Sequence, residues 1–146
     1  MVVLDTDYMT LLQWPEGVAA RLIRQRLSEL DPAEVVTTII SFEEQMRGWF
    51  DAIRNATEVR DQIEKYRFTK EALLQYCGIK ILDFDAVAAT EFQGLRKQYR
   101  RLGPMDLKIA AIVLAQRATL WTRNMKHFGR IKGLQAVDIT KQERHA

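Results

Sequence analysis

Apolar and polar positions along this chain follow two different periods. Short apolar runs lie at Val2–Leu4, 35–39, Lys80–Leu82 and Thr119–Trp121, with a weaker fifth at Gln135–Val137. They are β-branched or bulky and barely alternate, the pattern of strands buried on both faces of a parallel sheet. Between them the period becomes helical. Pro15 suits the first turn of a helix over 15–30, which stops before Asp31-Pro32. Helices are expected over 41–55 and 57–76, the second with Val59, Ile63, Tyr66 and Leu73 on one face. Asp85 is placed to cap a helix whose stripe is Ala88, Phe92, Leu95, Tyr99 and Leu102. Gly103-Pro104 breaks the chain and opens another helix over 105–116. That helix is apolar nearly all round, so it should lie buried against the sheet. Strands alternating with helices imply right-handed crossovers and an α/β fold, with helices on both faces of a sheet of four or five strands. The helical stretch from Ser41 to Tyr76 reads as a hairpin added to one crossover.

Composition narrows the class. At 146 residues the chain has the size of one domain spanning 1–146, with a frayed polar end from Gln142 to Ala146. No apolar run approaches the roughly 20 residues of a membrane span, and the N-terminus turns acidic too soon for a signal peptide. The single cysteine, Cys77, excludes an internal disulfide framework and a cysteine zinc site, and points to a reducing, cytoplasmic setting. Asn55-Ala56-Thr57 matches a glycosylation sequon, but nothing else suggests secretion. The net charge of +3 is compatible with nucleic acid without identifying it. Clusters at Arg96, Lys97, Arg100 and Arg101, and at Lys126, His127, Arg130 and Lys132, read first as solvated faces.

Candidate chemistry comes from where the acids fall. Ligands of open α/β sheets bind beyond the carboxyl ends of the strands, where the strand order reverses. Asp5 directly follows the first apolar run, and Glu44 sits early in the helix after the second. Asp106 lies in the first turn of the helix opened by Gly103-Pro104, and Thr122 and Asn124 follow the fourth run. Carboxylates held together repel one another unless protons or a cation neutralise them. Hard oxygen ligands favour Mg²⁺ or Mn²⁺, which can activate water and stabilise charge on a phosphoryl oxygen. Capping explains single members equally well: Ser41-x-x-Glu44 fits a capping box, Asp106 suits a helix N-terminus, and Asp7 could begin a short helix through Leu12. Spacing alone leaves both readings open.

The same segments carry a family resemblance. Val2-Val3-Leu4-Asp5-Thr6-Asp7 resembles the opening strand and first aspartate of PIN domains. The stretch from Thr38 to Gly48 resembles their second segment, whose glutamate precedes a glycine by four positions, which selects Glu44 over Glu43. Leu102-Gly103-Pro104-Met105-Asp106 resembles the third, and Thr119 to Phe128 with Ile131 to Leu134 resembles the C-terminal signature of the VapC toxins. The resemblance spans nearly the whole chain. It implies a PIN-like three-layer sandwich and a metal-dependent endoribonuclease that cleaves structured or single-stranded RNA such as tRNA. It further implies Asp5, Glu44 and Asp106 as ligands of Mg²⁺ or Mn²⁺, and Asn124 assisting where many members have aspartate. Thr6 and Thr122 would bind phosphate or water. A small antitoxin and a homodimer are the implied partners, with Tyr8, Met9, Leu11, Leu12, Trp14, Trp49 and Phe50 serving either an antitoxin or ordinary packing. Gln45, where leucine is usual, reads as a packing difference, and His127 as a surface or packing residue.

Two other functions fit part of the pattern. Leu4-Asp5-Thr6-Asp7 resembles the nucleophile strand of haloacid-dehalogenase-like phosphatases, with Asp5 phosphorylated and Asp7 as acid/base. The threonine, however, comes at Thr10, one place late, and no later paired-aspartate motif appears. A non-catalytic PIN-like scaffold for RNA or protein would not need all three acids.

Overall fold

The computed structural model describes residues 1–141, so the polar end at 142–146 lies outside the described residues. Five strands form one sheet: β1 (Val2–Leu4), β2 (Val35–Thr38), β3 (Lys80–Leu82), β4 (Thr119–Trp121) and β5 (Gln135–Val137). Their order is β3-β2-β1-β4-β5 and every pairing is parallel. The weak fifth run is thus a true strand, in register with β4 through Leu120 and Ala136. Moving outward from β1, the chain builds one edge and then returns to build the other. The order therefore reverses beside β1, between it and β4.

Seven α-helices cover the sheet: α1 (Thr6–Gln13), α2 (Val18–Ser28), α3 (Ile39–Asn55), α4 (Val59–Cys77), α5 (Ala86–Gln98), α6 (Pro104–Ala115) and α7 (Met125–Phe128). Successive strand residues point to opposite faces, and the core divides accordingly. Val3, Val36 and Leu120 face α5 and α6, joining Leu107, Ile109, Ile112 and Phe128. Leu4 and Trp121 face the other way, joining Tyr8, Met9, Ile23 and Tyr76 beneath α1, α2 and α4. Helix α6 is buried along almost its whole length, as its unbroken apolar sequence requires. Each such buried Leu or Ile stabilises the fold by about 1.5–3 kcal/mol.

Local chemistry moves two boundaries. Helix α2 starts at Val18, because Gly17 is the cap and Pro15 belongs to the preceding turn. Helix α3 starts at Ile39, because the Thr38 hydroxyl accepts from the Ser41 amide at 3.1 Å. The anticipated Ser41–Glu44 capping box does not form, which leaves Glu44 free for other contacts. The α4 stripe also differs from expectation. Val59 and Ile63 are 79% and 69% exposed, with Tyr66 and Leu73 also at the surface, while Ala72 and Tyr76 are buried. Among the described residues no helix is long and apolar enough to cross a membrane.

Candidate metal centre

The carboxyl ends of β1 and β4, at the reversal in strand order, open onto a cavity of about 280 Å³. Its walls include Asp5, Thr6, Asp7, Glu44, Asp106 and Asn124, with Ile109 and Phe128 at the base. Three carboxylates singled out by sequence are therefore neighbours in space, although one follows β1 and the others lie on α3 and α6. Among the described residues, no three His, Cys, Asp or Glu side chains stand already closed to ligand spacing. The acids ring the cavity wall instead.

Asp5 is held from two sides. Its amide donates to Trp121 O at 3.2 Å, extending the β1–β4 ladder, and its carboxylate accepts from Tyr8 N at 2.9 Å, capping α1. Capping and site membership are thus the same placement. Only 4% of Asp5 is exposed. Burial pushes its carboxyl up from 3.8 to about 6; the Thr122 hydroxyl and the Tyr8 amide pull it down, and Asp7 and Asp106 add to the rise. No cation appears among those influences. A carboxylate placed in this way carries a desolvation cost with nothing positive to offset it.

Glu44 reaches the cavity from α3 and accepts a hydrogen bond from Thr6 Oγ1 at 2.7 Å. Burial raises its carboxyl too; the Thr6 bond opposes this, while Asp106 and Glu43 raise it further. Glu43 points away and pairs with Arg47 at 2.5 Å on the exposed side of α3. The two adjacent glutamates thus lie in opposite surroundings.

Asp106 lies in the first turn of α6, whose cap residue Gly103 offers no side chain. His127 Nδ1 lies 3.1 Å from Asp106 Oδ2 and 3.0 Å from the Asn124 amide. One ring nitrogen cannot donate to Asp106 and accept from Asn124 at once. With the proton on Nδ1, the ring donates to the carboxylate and Asn124 turns its amide oxygen to the ring. The His127 side chain is 43% exposed, at the surface as anticipated, and in addition contacts Asp106. Its signal in sequence is only its place three residues after Asn124 on α7.

The remaining polar groups hold the acids in place. Thr122 is fully buried, and its Oγ1 accepts from Asn124 N at 2.9 Å. Asp7, at the rim, is gripped by Arg123, with Nε at 2.6 Å and an η-nitrogen at 3.2 Å. Among the described residues, Asp7 is the one carboxylate of the cavity wall that forms an ion pair with an arginine, while Glu44 also feels the charge of Arg47. Gln45, one residue beyond Glu44, does more than pack: its amide oxygen accepts from the buried Tyr76 hydroxyl at 2.8 Å, and its amide nitrogen donates to Gln13. The apolar strip divides, with Tyr8 and Met9 in the core, Trp14 edge-on and Trp49 tilted against Phe68, and Phe50 exposed.

The donor set is all oxygen and mostly anionic, and its deepest member is buried without a cation. That combination fits a hard divalent ion and does not fit a soft or nitrogen-seeking one.

Comparison with known proteins gives the family and the fold. The family model described as the PIN domain matches residues 2–134. Ribonuclease VapC1 of Haemophilus influenzae strain R2866 is 34% identical over 123 residues, covering 83% of this chain and 87% of the relative. The structure of VapBC-1 from nontypeable Haemophilus influenzae superposes with a TM-score of 0.72 at 28% identity, covering 97% of this chain and 100% of that one. DNA-bound VapBC from Salmonella typhimurium has the same fold, with a TM-score of 0.76 at 21% identity over 94% of this chain and 97% of that one.

Proposed function

The chain belongs to the PIN domain family as a VapC-like ribonuclease toxin, and on that premise we propose that Asp5, Glu44 and Asp106 hold a divalent metal for RNA cleavage. The observation that carries this reading is Asp5, a buried carboxylate at the strand-order reversal, facing two further carboxylates and, among the described residues, no cation. Mg²⁺ is the expected ion, with Mn²⁺ as an alternative of the same hard-oxygen chemistry. When bound, such an ion neutralises the acids, lowers the pKa of water and stabilises charge on a phosphoryl oxygen.

The chain's own residues supply orientation. The Tyr8 amide fixes Asp5, the Thr6 hydroxyl fixes Glu44, and His127 with Asn124 fixes Asp106. Thr6 and Thr122 act chiefly through the carboxylates, with any contact to phosphate or water secondary. Asn124 supplies a polar amide without charge, so three carboxylates support one firmly held ion. The substrate is a structured or single-stranded RNA, tRNA among the candidates. The protein works in the cytoplasm as a homodimer and is restrained by a small cognate antitoxin.

The test uses the protein purified away from any antitoxin, incubated with tRNA and other structured RNA in Mg²⁺, Mn²⁺ or EDTA. Cleavage is expected with either metal and not with EDTA, and is expected to be lost in Asp5→Asn, Glu44→Gln and Asp106→Asn. Cleavage that persists in those variants overturns the site assignment. Release of phosphate from small phosphoesters, with label retained on Asp5, would instead support the phosphatase chemistry.

A further inference from the structure

A second cavity, of about 720 Å³, lies where the end of α5 meets the start of α6. Its charged lining is wholly cationic: Arg96, Lys97 and Arg100, set around Tyr99, Leu102 and Pro104. These cations differ from the arginines of α3 and α4. Arg47, Arg54 and Arg67 on α3 and α4 each meet an acid three or four residues away. Among the described residues Arg96, Lys97 and Arg100 meet none. The Tyr99 hydroxyl accepts from Lys132 N at 2.8 Å, which fastens the loop carrying Arg130 and Lys132 to the same end of α5. Two basic segments about thirty residues apart in sequence therefore converge on one rim.

The position of this cavity gives the cluster its meaning. Pro104 and Leu107, on its wall, belong to the same turn of α6 that presents Asp106 to the acidic cavity. Only that turn separates the two. A helix with its side chains is about 10–12 Å across, the rise of about three stacked nucleotides at roughly 3.4 Å each. The acidic centre repels a polyanion, and a neighbouring pocket of unpaired cations supplies the opposite charge one short step away. We propose that this cavity seats backbone phosphates of the RNA strand about three nucleotides from the cleaved bond, with Arg96 and Arg100 as the phosphate-binding forks. The assignment rests on the ribonuclease reading above and adds a strand path to it. Guanidinium groups suit this use because their planar donors bind phosphate oxygens in pairs.

The competing account is local: cations in the last turn of a helix complement its dipole, which would make Arg96 and Lys97 purely structural. Arg96→Glu/Arg100→Glu is compared with Arg21→Glu/Arg60→Glu, an equal charge change on α2 and α4 across the sheet. Arg96→Gln/Arg100→Gln is the milder variant, should charge reversal impair folding. Three quantities are read: affinity for a labelled single-stranded RNA oligonucleotide across a salt series in EDTA, KM and kcat for cleavage, and Mn²⁺ affinity by calorimetry without RNA. For the cavity variants, binding should weaken at least tenfold, with KM raised and kcat within about threefold. The salt slope should flatten by about 1.4, at roughly 0.7 for each phosphate no longer neutralised. Mn²⁺ affinity should not change. Equal KM and salt slope in cavity and control variants overturn the proposal, as does a loss of antitoxin binding with RNA affinity intact. A wild-type protein that neither binds nor cleaves RNA removes the ribonuclease reading itself, a result distinct from either.

Discussion

Asp5→Asn should make the protein more stable while abolishing its activity. Burial without a cation holds the Asp5 carboxyl at about 6 instead of 3.8. At 1.36 kcal/mol per pKa unit, keeping it ionised at neutral pH costs about 3 kcal/mol of folding free energy. Asparagine has the same shape, and its oxygen still accepts from Tyr8 N, which preserves the α1 cap. The amide needs no neutralisation, so most of that cost is recovered, about 2 kcal/mol once the weaker neutral cap is allowed for. For a domain of this size, 2 kcal/mol corresponds to a rise in Tm of about 5 °C.

The pH dependence follows from the direction of the shift. Between about pH 4 and 6 the folded wild type binds more protons than its unfolded chain, so this residue's contribution to stability falls as pH rises through that window. The advantage of Asp5→Asn should thus be full at pH 7.5, about a third as large at pH 4.5, and nearly gone only near about pH 3.5. The assay is urea or thermal unfolding of both proteins in EDTA at a series of pH values, repeated with Mn²⁺. Added metal should raise the wild-type Tm and narrow or reverse the gap, because only the carboxylate gains a bound cation. A variant less stable than wild type at pH 7.5 in EDTA would refute the reasoning. So would a gain that does not vary with pH, since either result means the buried charge is offset by something else.

Thr6→Val removes the 2.7 Å bond to Glu44 without a large change in shape, and should lower kcat/KM about tenfold in a cleavage assay, a cost of about 1.4 kcal/mol. His127→Ala should weaken Mn²⁺ binding by roughly ten- to a hundredfold, the usual effect of removing a partner that orients a metal ligand, as read by calorimetry. Asp7→Asn should leave RNA cleavage within a few-fold and stability within about 1 kcal/mol, because its pair with Arg123 is half exposed; complete loss of activity would restore Asp7 as an acid/base. Gln45→Leu should cost about 1–3 kcal/mol in urea unfolding by leaving the buried Tyr76 hydroxyl without its acceptor, and Gln45→Leu/Tyr76→Phe should recover much of it.

What was legible in the sequence, and what was not, divides by range. All five strands could be read, because a parallel sheet buried on both faces demands unbroken apolar runs and leaves them short. Asp5 and Asp106 could be placed because each sits beside an element boundary that sequence marks, a strand end and Gly103-Pro104. The α4 stripe misled for a related reason. Periodicity shows that Val59, Ile63, Tyr66 and Leu73 share a face, but not whether that face meets the core or solvent, and α4 packs through Ala72 and Tyr76 instead.

Partners chosen across the fold were out of reach. Thr6 meets Glu44 from 38 residues away, His127 meets Asp106 from 21, and Arg123 meets Asp7 from 116. No local pattern encodes such pairings, since each depends on how two strand ends are brought side by side. Those same pairings separate the two readings that spacing left open. An acid that only caps a helix is satisfied by its own turn, as Asp85 is by the Ala88 amide and Asp31 by the Ala33 amide. Both of those lie at the surface, where water completes the solvation of the charge. Asp5 makes an equivalent cap, yet it is buried among other acids with no cation near it among the described residues, so capping accounts for its backbone bond and leaves its charge unexplained. What speaks for function is therefore the part of the Asp5 environment that the helix does not need.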